Sequence, residues 1–85
     1  MDPIKTGRLI RSLRQKQGLT QRALAELIGV SDKAISKWER GCGMPDPALL
    51  PELSAVLEAD ADALLRGELP ENRMTNGNLK KLRIY

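Results

Sequence analysis

A cluster of hydrogen-bonding side chains within residues 31–40 carries the chemistry that this sequence offers. On a helix these side chains lie away from Ile35 and Trp38, which are three positions apart and share one face. The outward residues are Asp32, Lys33, Ser36, Lys37 and Arg40. They begin at the N-terminal end of the helix, where a helix in the major groove meets the base edges of DNA. The cluster therefore predicts a helix that reads double-stranded DNA.

The residues around this cluster predict two short helices joined by a tight turn. Thr20 is suited to cap the first helix, and Gly29 to end it in a left-handed conformation. Ser31 and Gly41 repeat the same two signals for the second helix. The spacing predicts an apolar face on the first helix, formed by Leu24, Leu27 and Ile28.

The same stretch resembles the Cro/C1 (XRE-type) repressor family. The matching residues are TQ at 20–21, the alanine at 25, GVS at 29–31, ISKWE at 35–39 and RG at 40–41. The resemblance covers roughly residues 4–67, and the combined spacing is far more specific than any of its dipeptides. It implies an all-α, compact, five-helix lambda-repressor-like DNA-binding domain. The implied function is that of a bacterial or phage-type transcriptional regulator, expected to be a repressor.

The resemblance also implies roles for individual residues. Gln21 would contact a phosphate and brace the helix over residues 31–40, called the recognition helix because it would read the DNA. The glutamine of the family has both roles at this position. Lys33 and Lys37, about one turn apart, would donate to O6 and N7 of guanine. The full set of expected DNA-binding residues is Gln21, Ser31, Asp32, Lys33, Ala34, Ser36, Lys37 and Arg40.

The remaining members of this set have smaller expected roles. Ser31 caps the recognition helix, and its backbone N–H can point at a phosphate. Asp32 would accept from N4 of cytosine, whereas Ser36 would donate to or accept from a base. Ala34 would meet a thymine methyl group, and Arg40 would contact a phosphate.

Arg14 is expected to be structural. It lies four residues after Ile10 and one after Leu13, at the border of the apolar face expected for the N-terminal helix. A partly buried guanidinium needs a carboxylate partner. The resemblance implies that this partner is Glu39, because family members often pair an arginine here with the acid near the end of the recognition helix.

Composition favours one small helical domain. The chain has 85 residues, no phenylalanine, and Trp38 and Tyr85 as its aromatic residues, so the core must be aliphatic. Residues 1–41 hold nine basic and four acidic side chains, whereas residues 42–67 hold one basic and five acidic ones. The positive charge therefore accompanies the two short helices, which suits a polyanionic partner.

Several function classes are disfavoured. Cys42 is the single cysteine and there is no histidine, so no intrachain disulfide, Cys/His metal site or histidine-activated thiol is expected. Paired carboxylates and a phosphate-binding glycine loop are also missing, which predicts no enzyme, no cofactor and no small-molecule substrate. No apolar run approaches the roughly 20 residues of a membrane span. A cytoplasmic protein without membrane contact is expected.

Proline signals predict the other helices. Asp2-Pro3 begins a first helix that runs to about Gln17, and Gly7 within it indicates either close approach of a neighbouring helix or weak first turns. Asp46-Pro47 begins a fourth helix that reaches about Leu57. Pro51 leaves two alternatives: a bend, or a loose turn over 46–50 before a helix from Leu50. Asp60 is expected to cap a fifth helix, 61–66.

The predicted domain covers residues 1–67, and residues 68–85 form a linker or tail with Pro70 and Asn76-Gly77. The tail is similar to the connector of longer family members that continue into a zinc ribbon; a flexible basic tail is the alternative. Family members are commonly homodimers, so a homodimer is expected. The alternative function is a protein-interaction module of the same fold, antitoxin-like or coactivator-like.

Overall fold

The computed structural model describes residues 2–69, which form five α-helices and one turn of 3-10 helix. Within these residues there is no strand, so the prediction of an all-α, five-helix fold is confirmed. The helices are α1 (Pro3–Lys16), α2 (Gln21–Ile28), α3 (Asp32–Glu39), α4 (Leu50–Leu57) and α5 (Ala61–Arg66), with the 3-10 turn over Pro47–Leu49.

Local capping explains where most helices begin. Asp2 accepts a hydrogen bond from the backbone N–H of Ile4 at 2.9 Å. Thr20 and Ser31 accept from backbone N–H groups three residues later, at 3.0 and 3.1 Å. Each bond satisfies a donor that the first helical turn leaves free. Asp60 occupies the N-cap position of α5 as predicted, but its side chain makes no capping hydrogen bond.

The core is aliphatic apart from Trp38, and it joins all five helices. α1 packs against α3 and α5, and α4 packs against α2 and α5. The fully buried side chains at its centre include Ile10, Leu24, Ile35, Leu53, Leu57 and Leu64. This packing fixes α2 and α3 as one rigid pair, since α3 contacts both α1 and α2.

Leu27 departs from the predicted apolar face of α2, because 58% of it is exposed. Leu24 and Ile28 are buried as expected, and the buried face extends from them to Ala25. Each residue turns a helix by about 100°, so Ala25 and Leu27 lie on opposite sides of the line through Leu24 and Ile28. The tightly packed side of α2 is therefore the alanine side.

Gly7 marks the close approach of two helices, which decides between the two alternatives for it. A Cβ atom placed on Gly7 would collide with the carbonyl oxygen of Trp38, and it would lie 3.1 Å from the carbonyl carbon of Glu39. The C-terminal end of α3 therefore lies directly against the backbone of α1. Only glycine fits at this crossing, which accounts for a residue that otherwise weakens a helix.

The region around Pro51 follows the second alternative. Asp46 accepts from the backbone N–H of Ala48 at 2.9 Å and begins the 3-10 turn, after which α4 starts at Leu50. Pro51 is then the second residue of α4. Its lack of an N–H costs nothing there, because the first backbone N–H groups of a helix have no intrahelical partner.

Strain at Glu58 gives a first testable prediction. Glu58 ends α4 in the left-handed conformation, with φ 58° and ψ 46°. Side chains other than glycine pay about 1–2 kcal/mol in this conformation, while glycine costs roughly 0.5–1 kcal/mol of chain entropy. Glu58→Gly should therefore raise the free energy of unfolding by roughly 0.5–1 kcal/mol, as measured by urea denaturation.

Glu58→Ala is the matched control for this prediction. It removes the same carboxylate but keeps a Cβ atom in the left-handed conformation, so it should not stabilise the protein. Equal stabilisation by both variants would mean that the charge of Glu58, and not its backbone conformation, is the cause.

Glu68 lies just outside the predicted domain of residues 1–67 but contacts α1. Glu68 was assigned to the tail, yet its carboxylate lies 2.9 Å from Nζ of Lys5 on α1. This hydrogen bond and the charge of Glu68 raise the pKa of Lys5, while Lys5 lowers the pKa of Glu68. Both side chains are exposed, so the pair adds little stability. Residues 70–85 of the predicted linker or tail (68–85) lie outside the described residues.

Candidate nucleic-acid interface

The outward face of α3 presents a compact set of cationic side chains. Lys33, Lys37 and the C-cap residue Arg40 are all exposed. They fall on one side of the helix, opposite Ile35 and Trp38, which are buried in the core. Within residues 2–69, none of the three cations has a carboxylate within salt-bridge distance. The three charges are therefore available to an external anion.

The other predicted residues of α3 divide between its surface and its border. Ser31 and Asp32 are exposed at the N-terminus, where Ser31 caps the helix and Asp32 lies in its first turn. Ser36 is half-buried. Ala34 is also half-buried and packs against the core, so its methyl group lies at the edge of the cationic face. Of the predicted residues of α3, the structure thus places Lys33, Lys37 and Arg40 on one exposed side.

A buried ion pair ties the end of α3 to α1. Arg14 donates from Nε to Oε2 of Glu39 at 2.6 Å and from its terminal nitrogen to Oε1 at 3.0 Å. It also donates to the carbonyl oxygen of Leu19 at 2.7 Å. Only 11% of the Arg14 side chain and 3% of the Glu39 side chain are exposed. The hydrogen bonds that Arg14 donates to the Glu39 carboxylate raise the pKa of Arg14, so its guanidinium remains charged.

Gln21 joins the same network from α2. Its Nε2 atom donates to Oε1 of Glu39 at 3.0 Å, which links the first residue of α2 to the last residue of α3. Glu39 therefore holds three helices in one arrangement. An amide NH₂ group has two donors, and Glu39 occupies one of them. The resemblance implied that Gln21 braces this helix and that Arg14 pairs with Glu39; it did not indicate that both contacts use the same carboxylate.

The loop after α3 folds back beside the cationic face. Gly41 adopts φ 75°, and the backbone N–H of Cys42 donates to the carbonyl oxygen of Lys37 at 3.0 Å. This arrangement is a glycine-terminated helix end, in which the chain reverses past the last turn. As a result, Gly43 lies beside the aliphatic stem of Lys37. Sequence reasoning missed this contact, since only the glycine turn itself leaves a local signal.

Residues 2–69 contain no group of histidine, cysteine or acidic side chains arranged to hold a metal ion. No helix among the same residues is long and apolar enough to cross a membrane. Cys42 is exposed, and its Sγ atom lies 4.0 Å from the guanidinium of Arg40.

Two capped helices, a tight turn between them and an outward cationic face on the second define a helix-turn-helix protein. A family profile described as Helix-turn-helix matches residues 10–64. The chain belongs to this helix-turn-helix family, and the resemblance to Cro/C1-type repressors is confirmed.

Similar proteins include a repressor and a transcriptional activator. The chain is 40% identical over 68 residues to Repressor protein C2 of Salmonella phage P22, a match that covers 80% of this chain and 32% of that protein. It is 42% identical over 82 residues to the HTH-type transcriptional activator BcrR of Enterococcus faecalis, covering 89% and 39%. The chain thus spans only about a third or two fifths of these two proteins.

A solved structure extends the comparison to three dimensions. The P22 c2 repressor in complex with synthetic operator 9T superposes with a TM-score of 0.70 at 41% identity. The match covers 74% of this chain and 96% of that one. The solution structure of the DNA-binding domain of the same repressor gives a TM-score of 0.69 at 40% identity, with 80% and 90% covered. These likenesses confirm the lambda-repressor-like fold.

Proposed function

We propose that this chain binds double-stranded DNA in a sequence-specific manner and regulates transcription, with α3 in the major groove. The outward face of α3 is the observation that carries the proposal: three exposed cations on one side of a helix fixed by the core. The similarity of this chain's fold to that of a repressor in complex with operator DNA supports the same proposal. The role needs no catalysis, and repression is the expected outcome of binding.

The proposed contacts follow the chemistry of each position. Lys33 and Lys37 donate to guanine, with Asp32 and Ser36 as secondary base contacts and Ala34 beside a thymine methyl group. The phosphate contacts fall to Gln21, Ser31 and Arg40, which flank the groove-facing surface.

One such domain reads only a few base pairs. Useful specificity then requires two half-sites about one helical turn apart, and we therefore propose a homodimer on the operator. Its place of action is the cytoplasm, where bacterial and phage DNA is found. Residues 1–67 form the DNA-binding unit in this proposal, and residues 68–85 form a linker or tail.

Selection of bound sites from a random duplex pool tests the proposed function most directly. We expect enrichment of a short motif, repeated about one helical turn apart if the protein binds as a dimer. Affinity for the selected duplex should fall with salt, with a log–log slope of about −0.9 for each neutralised phosphate. A tight protein partner together with no salt-dependent duplex binding would instead support a protein-interaction module of this fold.

The two kinds of cation on α3 should behave differently when removed. Lys33→Ala and Lys37→Ala should each relax the preference at one base-pair position by about 1–3 kcal/mol, because a base-edge donor is lost. Arg40→Ala should weaken binding to all duplexes alike and reduce the salt slope by about 1, because a phosphate contact is lost. Competition binding against single-base variants of the selected site measures both effects.

The outcome that contradicts this assignment is specific. If both lysine variants select the same motif as the parent protein with unchanged affinity, α3 is not the helix that reads the bases. Arg66→Ala provides a control, since Arg66 is exposed on α5 and pairs with Asp62 at 3.1 Å. It should leave the selected motif unchanged.

A further inference from the structure

The loop that follows α3 lies beside one of the proposed base-reading lysines. A Cβ atom placed on Gly43 would lie 3.4 Å from Cε of Lys37, 3.9 Å from Cδ and 4.0 Å from Cγ. The aliphatic stem of Lys37 therefore runs along the open side of Gly43, at van der Waals distance from the space that a larger side chain would fill. The nearby atoms of Lys37 belong to its aliphatic stem, and Lys37 as a whole is exposed.

The Gly43 backbone is held in place on both sides. Before it, the N–H groups of Gly41 and Cys42 donate to the carbonyl oxygens of Trp38 and Lys37, each at 3.0 Å. After it, Pro45 is buried. The loop thus bounds one side of the space that the Lys37 stem occupies.

A lysine whose side chain is already confined loses less conformational entropy on binding DNA than a lysine that is free in solvent. A lysine side chain loses much of its rotamer entropy when it is held in one conformation. A side chain that already rests on a fixed surface loses less of this on binding, and its ammonium is directed to one place. Position-specific discrimination needs such direction, whereas attraction to phosphate does not.

From these contacts we propose that Gly43 is a positioning residue for Lys37, and that this pair sets the sequence preference at one base-pair position. The proposal rests on the proposed function and refines it. The backbone of Gly43 does not require glycine, because its φ lies outside the left-handed region that Gly18, Gly29, Gly41 and Gly67 occupy. What Gly43 provides is space beside the stem, enough for one Cβ atom at contact distance but not for a branched side chain. A larger, branched residue at position 43 should leave the loop conformation unchanged but fill the space that the Lys37 stem occupies.

The test compares Gly43→Val with Gly43→Ala and Lys37→Ala in the full chain, using duplexes that differ at single positions of the selected site. Gly43→Ala adds only a Cβ atom at ordinary contact distance and should keep the preference of the parent protein. Gly43→Val places methyl groups where the stem lies, and it should lower discrimination about tenfold at the position that Lys37→Ala also relaxes. Discrimination at the position that Lys33→Ala relaxes should stay unchanged.

The double variant Gly43→Val/Lys37→Ala separates positioning from a general effect on the domain. If Gly43 acts through Lys37, the double variant should discriminate no worse than Lys37→Ala alone. Thermal denaturation of each variant verifies that the domain remains folded. These readouts concern single base-pair positions, so a purely structural role of Gly43 would not produce them.

Three outcomes are distinguishable. A parent protein that selects no duplex overturns the proposed function itself. A parent protein that selects a site, together with a Gly43→Val variant of unchanged base preference, overturns only the positioning role. Uniform weakening of Gly43→Val on all duplexes, with preference retained, also overturns it and indicates that the loop backbone approaches the phosphates.

Discussion

Arg14→Met should destabilise the protein by about 3–5 kcal/mol, one of the two largest effects that we expect from a single substitution. The variant keeps the apolar stem of residue 14 but removes the guanidinium that makes two hydrogen bonds to Glu39. The carboxylate of Glu39, with 3% of its side chain exposed, would then be held by Gln21 alone. A buried charge without its counter-ion costs far more than the intact pair contributes.

Urea denaturation followed by tryptophan fluorescence measures this loss. Trp38 is the single tryptophan of the chain, it is buried, and it precedes Glu39 directly, so its emission reports the packing of α3. The matched control is Lys5→Met, which breaks the exposed ion pair with Glu68 on the same helix. It should cost far less than Arg14→Met, because exposed pairs are screened by solvent.

A second variant separates the stranded charge from a loss of packing. Arg14→Met/Glu39→Leu removes both charges, and it should recover a substantial part of the stability that Arg14→Met loses. If Arg14→Met costs no more than Lys5→Met, the pair is not buried in solution. If the loss of stability in Arg14→Met/Glu39→Leu equals the sum of the losses in Arg14→Met and in Glu39→Leu, lost packing and not the stranded charge is the reason for the instability.

Local signals in the sequence predicted most of the fold, because the residues that start and stop helices act through their own backbone. Thr20 and Ser31 cap the two short helices as expected, and Gly18, Gly29 and Gly41 have the positive φ values that helix ends favour. These effects depend on neighbours within three or four residues. A sequence therefore carries them directly.

Features that depend on partners distant in the chain were predicted less well. Leu27 follows helical spacing as well as Ile28 does, yet it is exposed, since which side of α2 is buried depends on how the other helices pack. The sharing of Glu39 between Arg14 and Gln21, and the contact of Gly43 with Lys37, arise in the same way. Spacing along one helix cannot specify such contacts.

The candidate interface shows both cases. The exposure of Lys33, Lys37 and Arg40 follows from helical periodicity once Ile35 and Trp38 are placed in the core. The angle at which α3 stands on the domain does not follow from periodicity. It is set where α3 meets α1, at Gly7 and at the ion pair of Arg14 with Glu39.

Gly7→Ala should destabilise the protein by about 3 kcal/mol, although helix propensity alone predicts a gain of about 1 kcal/mol. The added methyl group would collide with the carbonyl oxygen of Trp38 and lie 3.1 Å from the carbonyl group of Glu39. Both obstacles are backbone atoms, which cannot rotate away as a side chain does. The helices α1 and α3 would have to separate, which opens the packing around Ile10 and Ile35.

Gly18→Ala is the matched control, because it makes the same chemical change at the end of the same helix. A Cβ atom on Gly18 meets nothing within 4 Å, and the cost is confined to a left-handed backbone at φ 73°, about 1 kcal/mol. Urea denaturation of both variants gives the comparison. A Gly7→Ala variant that is more stable than the parent protein would show that α1 and α3 are not in backbone contact, and the orientation of the cationic face would then have to be set elsewhere.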